Sequence, residues 1–276
     1  MSKPVMTSEA ERPAAGEPVE SRPVTFGRVV RSEWVKFRSL RSTWWVLATT
    51  VVTMLALALI IAYNTRHLTA NQQAEDLVPS APLQGSDLAQ LLLGALGILF
   101  VTGEFSTGMI RSTFAAVPRR MPVLAAKLAV FATVTALVMA ATSLIAFLAA
   151  QGLIGRYRTG YSLSSPGAFR AVVGTAVYLT LVGVIGMMIG WIVRSTPGAL
   201  VTYAALVLVV PALFGNFLQH WGLTVNQYTP PQAGASFSSN LPDPPALSPW
   251  AGFWVVVAWT CAATMAAIGS LRRRDA

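Results

Sequence analysis

Long apolar stretches separated by short polar segments alternate along this chain from Thr43 onward. A helix must supply about 20 apolar residues to cross a bilayer's hydrocarbon, where each unpaired backbone group costs several kcal/mol. Six stretches meet that need, predicting spans at 43–63, 87–103, 123–150, 171–193, 198–217 and 250–271. Trp44, Trp45 and Tyr63 flank the first span, as suits the two membrane interfaces. The second is short and contains glycine. Lys127 lies close enough to the start of the third to snorkel, and Pro211 predicts a kink or an early end in the fifth. The predicted fold class is all-α, a polytopic membrane protein with six transmembrane helices.

The polar segments carry patterns of their own. Residues 1–23 are rich in Pro, Glu, Ser and Ala and read as a disordered tail. Over 24–42, Phe26, Val29, Val30, Trp34, Phe37 and Leu40 recur at helical spacing, while Arg28, Arg31, Lys36 and Arg38 favour other faces. This predicts a basic amphipathic helix lying in the interface, either a plain positive anchor or a mechanical element. Between spans two and three the chain reads VTGEFSTGMIRSTFAAVPRR. A helix from Glu104 to Ala116 places Phe105, Met109, Ile110 and Phe114 on one stripe, with Glu104, Thr107, Arg111 and Ser112 largely opposite. Pro118 ends it, and Pro122 suits the first turn of the next helix. The linker 218–249 is rich in Pro and Ser, has no Lys or Arg, and reads as an irregular outer loop.

Charge sets the orientation. With the N-terminus inside, only Arg66, Arg156, Arg158 and Arg170 of the 20 Lys and Arg fall in outer segments, which fits the positive-inside rule. Both termini, the entry helix, the 104–120 insert and the basic tail 272–276 are then cytoplasmic. The net charge of +9 is accounted for by anionic lipid headgroups, so no nucleic-acid partner is expected.

Composition and motifs narrow the function. A mean hydropathy of +0.57 with 54% hydrophobic and 11% charged residues is more apolar surface than one soluble core hides. The single cysteine, Cys261, permits no intrachain disulfide and reads as a small buried hydrophobe. No metal site is expected. HExxH, GxSxG and GxxxxGK[ST] motifs are absent. His67 and His220 fall in predicted outer loops, and neither they nor Asp243 form a catalytic constellation. No ionisable residue lies in the middle of a span, which disfavours proton-coupled transport. The chain is not expected to be an enzyme, and any active transport needs its energy from another polypeptide. Gly186 and Gly190, one helical turn apart, have the spacing that lets membrane helices approach closely, within the chain or between copies.

Two stretches, SEWVKFRSLRSTWWVL (Ser32–Leu47) and GEFSTGMIRSTFAAVPRRMPVLAAK (Gly103–Lys127), resemble the permease subunits of ABC type-2 transporters, particularly six-span bacterial permeases encoded apart from their ATPase. The resemblance covers the pattern of the chain from residue 24 onward. It implies that 24–42, with Glu33, Trp34, Lys36, Phe37, Arg38 and Arg41, is a connecting helix. It also implies that 104–120 is a coupling helix docked on a nucleotide-binding subunit. Glu104 and Gly108 match the family's E-x-x-x-G pattern, Thr107, Met109, Ile110 and Arg111 surround that turn, and Pro118, Arg119 and Arg120 match its exit. By this resemblance Glu104 positions the helix or pairs with a basic group of the ATPase, and Phe105 with Met109 or Ile110 fills a pocket. Two plainer readings stay open: Glu104 as an acid at a helix N-terminus, and Arg119 and Arg120 as topology signals. The implied partners are an ABC ATPase holding ATP and Mg, a second permease copy or a related permease, and membrane lipids. The implied location is the bacterial cell membrane, and export is favoured over import. The competing reading is a non-transporting membrane immunity or assembly protein.

Overall fold

The computed structural model describes residues 25–65, 80–109, 120–155, 161–217, 219–239 and 247–274. Among the described residues 89% are helical and none is in a strand. An entry helix α1 (Phe26–Ser39) is followed by α2 (Arg41–Thr65), α3 (Ser86–Ser106), α4 (Arg120–Ile154), α5 (Ala168–Val193) and α6 (Thr196–Ala204). Two short helices, α7 (Gln219–Asn226) and α8 (Pro230–Ser238), lead to α9 (Pro249–Arg274). Among the described residues six helical runs are long and apolar enough to cross a bilayer, α2, α3, α4, α5, α9 and the run Thr196–Gly215 that begins with α6, the character of a multi-pass membrane protein.

The spans run longer than hydropathy alone predicts. The second continues to Ser106, the third covers Arg120–Ile154, and Arg272 and Arg273 belong to the last turns of α9 rather than to a tail. The tail 1–23 lies outside the described residues. Leu40, in extended conformation, separates α1 from α2, so the entry helix is shorter than 24–42.

Burial identifies the centre. Over their most apolar stretches the second and fourth spans are 61% and 78% buried, against 28%, 33%, 17% and 17% for the first, third, fifth and sixth. Helices α3 and α5 are therefore the core pair, and missing side chains let them meet. A Cβ on Gly186 would stand 2.7 Å from the Gly94 Cα, and one on Gly97 would stand 2.8 Å from the Met187 nitrogen. Gly190 lies against Ile98 one turn further on. Thus Gly186 and Gly190 are used inside the chain, and Gly94 and Gly97 supply the facing half of the contact.

Hydroxyls within the spans turn back on their own helices. Thr50, Thr102, Thr135, Ser143, Thr175 and Thr180 each donate to the carbonyl four residues earlier, at 2.6–3.0 Å. This removes the cost of an unpaired hydroxyl in an apolar medium.

Two expectations are corrected and one is narrowed. Of the kink or early end expected at Pro211, the early end does not occur. The chain runs from α6 through π-helical Ala205–Val209, a short α-helical piece Val210–Ala212, and π-helical Leu213–Phe217. These wider turns flank the proline, whose ring has no N–H to give and clashes with a regular preceding turn. The linker 218–249 is not simply an irregular loop. Pro230 and Pro231 open α8, because proline suits a helix's first turn, and α8 packs on α5 and α9 through buried Ala233, Gly234 and Phe237. Cys261 is exposed, not buried. Apolar character in a span answers to lipid as well as to protein, so it does not by itself predict burial in the bundle.

Candidate functional site

Where α1, the last turn of α3 and the start of α4 converge, four charges are packed together. Lys127 Nζ stands 2.6 Å from Glu33 Oε2 and 2.9 Å from Glu104 Oε1. Lys36 Nζ stands 2.7 Å from Glu33 Oε1 and 3.1 Å from the same Glu104 oxygen. Lys127 is completely buried, and Glu33 and Glu104 are 1% and 6% exposed. Two acids and two cations make the cluster formally neutral, the condition under which charges are retained away from water.

Each member is placed by its helix. In α1, Val29, Glu33 and Phe37 recur every fourth residue and form the buried face. Phe26, Trp34 and Leu40, grouped with them on hydropathy, are 52%, 40% and 41% exposed. The seam against the bundle is therefore narrower than the apolar stripe and carries an acid at its middle. Lys127 does not snorkel. It lies on the side of α4 that faces α1 and α3, with its ammonium 4.1 Å from the Phe100 ring centroid. Below it, Phe37 meets Phe100 edge-on at 5.1 Å, and Phe100 lies 6.2 Å from Phe131. Burial opposes charge on Lys36, but Glu33 and Glu104 outweigh it and hold the ammonium above its ordinary pKa.

Glu104 ends a helix rather than starting one. It sits in the last turn of α3, where the macrodipole disfavours an acid and the two lysines offset the penalty. Thr107 caps the helix, its N–H reaching Gly103 O at 3.2 Å and its hydroxyl the same oxygen at 2.9 Å. Gly108 follows with φ 72°, a left-handed turn that glycine adopts without a Cβ penalty. A single helix from Glu104 to Ala116 is thereby ruled out, since the chain is broken at Thr107 and Gly108. Met109 beyond the break is 44% exposed. Ile110, Arg111, Pro118 and Arg119 lie outside the described residues, and Arg120 opens α4.

Phe105 anchors the opposite side of the same turn. Its ring meets Trp191 of α5 at 5.6 Å and 90°, and the Arg194 guanidinium lies 5.4 Å from its centroid. Arg194 itself ends α5 with φ 59° and donates its N–H to Gly190 O at 2.9 Å. Close by, Thr196 Oγ1 donates to Thr102 Oγ1 at 2.7 Å. Consecutive residues of α3 thus hold α1 and α4 on one side and the end of α5 on the other.

Of the sequence-selected residues, Glu33, Lys36, Phe37, Glu104 and Phe105 come together here. Trp34 lies beside Phe37 at a ring distance of 6.4 Å, and Arg38 and Arg41 are exposed. Lys127, Trp191, Arg194 and Phe100 complete the arrangement without having been selected. For Lys127 a signal was available: a lone cation one helical turn or two into an apolar span, at the end of the bundle where the preceding span finishes in a lone acid. Among the described residues no three His, Cys, Asp or Glu side chains gather to hold a metal. His67 is outside the described residues, and His220 falls within α7.

No family model matches this chain, and no curated protein matches it.

Proposed function

We propose that this chain is a permease subunit of an ABC type-2 transporter, working as an exporter in a bacterial cell membrane with both termini cytoplasmic. In this reading a separately encoded ATPase binds the 104–120 segment, and a second copy or a related permease completes the translocation path. ATP and Mg belong to the ATPase, and this chain performs no chemistry.

The observation that carries the reading is the four-charge junction. A segment suited to receive force from a soluble partner needs a stiff root, and Glu104 and Phe105 form one directly before the helix break at Gly108. Displacement of the polypeptide after Gly108 acts on the last turn of α3, and through Lys127, Lys36 and Trp191 on α4, α1 and α5 at once. Glu104 is engaged by its own chain's lysines, so its part is to position the segment; contact with the ATPase falls to residues beyond Gly108.

Co-expression with the reading frames encoded beside it tests this. A P-loop ATPase among them is expected to co-purify with this chain, and its hydrolysis is expected to respond to the permease in lipid. Separate elution of both chains under conditions where each is folded rejects the proposal.

A further inference from the structure

Helices α4 and α5 do not close against each other along their whole length. Ala136 and Ala140 on α4 face Ala176 on α5 across a groove of about 520 Å³. These small side chains cannot fill the gap, and Leu144 and Phe169 stand at its rim, 38% and 67% exposed. The lining is apolar: its one hydroxyl, on Thr180, is turned away to the Ala176 carbonyl at 2.8 Å. Water requires 2–4 polar partners to occupy such a space, and none faces it.

We propose that this groove holds one acyl chain of a membrane phospholipid. Its length supports that occupant. From Phe169 to Leu181 along α5 is about 18 Å at 1.5 Å per residue, and one leaflet of a roughly 30 Å hydrocarbon core is about 15 Å deep. The groove starts at the first turn of α5 and reaches the middle of that span, so it covers a single leaflet from interface to midplane. Its width supports it as well. A volume of about 520 Å³ over about 18 Å gives a mean cross-section near 29 Å². A helix with its side chains is about 10–12 Å across, wider than this slot, so a helix of a second copy lies over its mouth at most, whereas a polymethylene chain enters. At the interfacial end Leu163 closes the groove, and exposed Ser162 and Ser164 with half-buried Ser165 stand beside it, placing polar groups at the depth of a headgroup. The site does not depend on the proposed transport function, because it is built by α4, α5 and Leu163 of their connection and needs no ATPase.

The test uses the full chain reconstituted without any ATPase in phosphatidylcholine–phosphatidylglycerol vesicles containing a phospholipid with a diazirine on one acyl chain. After illumination, cross-links are mapped by mass spectrometry. Labelling at 136–144 and 169–181 is expected to exceed by several-fold that at Val52 and Met265, which are equally open apolar positions on other spans, 64% and 66% exposed. Ala140→Phe is expected to remove the excess while the protein stays monodisperse. Should that variant not fold, the smaller Ala136→Val is expected to reduce it. Uniform labelling of all exposed spans overturns the proposal. So does disulfide formation between copies carrying Ala140→Cys in a Cys261→Ser background, which places a second protein surface over the groove.

Discussion

The ammonium of Lys127 lies 2.6 Å from the carboxylate of Glu33, joining a completely buried cation of the third span to an acid on the entry helix. The contact makes α1 part of the bundle. Glu104 reaches both lysines through one oxygen, so the entry helix, the end of the second span and the start of the third share one charge balance. Removing Lys127, Glu33 or Glu104, which are 0%, 1% and 6% exposed, unbalances charge that is largely shielded from water, and that makes the junction measurable.

Lys127→Met leaves two carboxylates facing Lys36 alone. A loss of about 3–5 kcal/mol is expected, the cost of a buried pair broken on one side, read as a lowered thermal midpoint in detergent or lipid. Adding Glu33→Gln restores neutrality and is expected to recover much of the loss. Additive destabilisation in the double variant contradicts the pairing.

Phe105→Asp and Glu104→Ala are expected to weaken ATPase association or transport while the chain still inserts. Phe105→Asp also removes the ring that Trp191 meets edge-on. Transport unchanged in both variants removes the 104–120 segment from the mechanism.

Gly186→Ala is expected to cost at least about 1–3 kcal/mol through overpacking, since its Cβ would stand 2.7 Å from the Gly94 Cα. Gly103→Ala in the same end of α3 meets nothing within 4 Å and is expected to be neutral or stabilising by about 0.4–1 kcal/mol. Thermal melts of the two variants should therefore move apart. Equal shifts place the glycine seam elsewhere.

Lys36 is held above its ordinary pKa of 10.5 by Glu33 and Glu104 against the opposing effect of burial. A raised lysine pKa contributes stability that is complete below the unfolded value and is lost as pH rises through the folded one. Docking of α1 is thus expected to be unchanged between pH 7 and 9 and to loosen only above 10.5. Hydrogen exchange of the α1 amides, corrected for its intrinsic pH dependence, checks this. Loosening already at pH 8 contradicts it.

Met109→Cys in a Cys261→Ser background tests the orientation. Met109 is 44% exposed, and a membrane-impermeant maleimide is expected to label it from the cytoplasmic side alone. Labelling from outside in intact cells inverts the topology.

Periodicity and hydropathy alone determined the six apolar helices and the helical entry segment, because lipid selects length and composition without reference to neighbours. The same signal misplaced what neighbours decide. Cys261 and Trp34 are apolar yet exposed, while Glu33 and Lys127 are charged yet buried, since a side chain's burial depends on which helix faces it and on what charge that helix supplies. Pro230 and Pro231 are equally consistent with a loop or a helix start, and packing of Gly234 against Tyr178 favours the helix. The sequence by itself determined that there are membrane-length helices and in what order. Tertiary structure decided that Glu33, Lys36, Glu104 and Lys127 neutralise one another, because electrostatic balance in a low-dielectric interior is a property of distances between segments, which no single segment encodes.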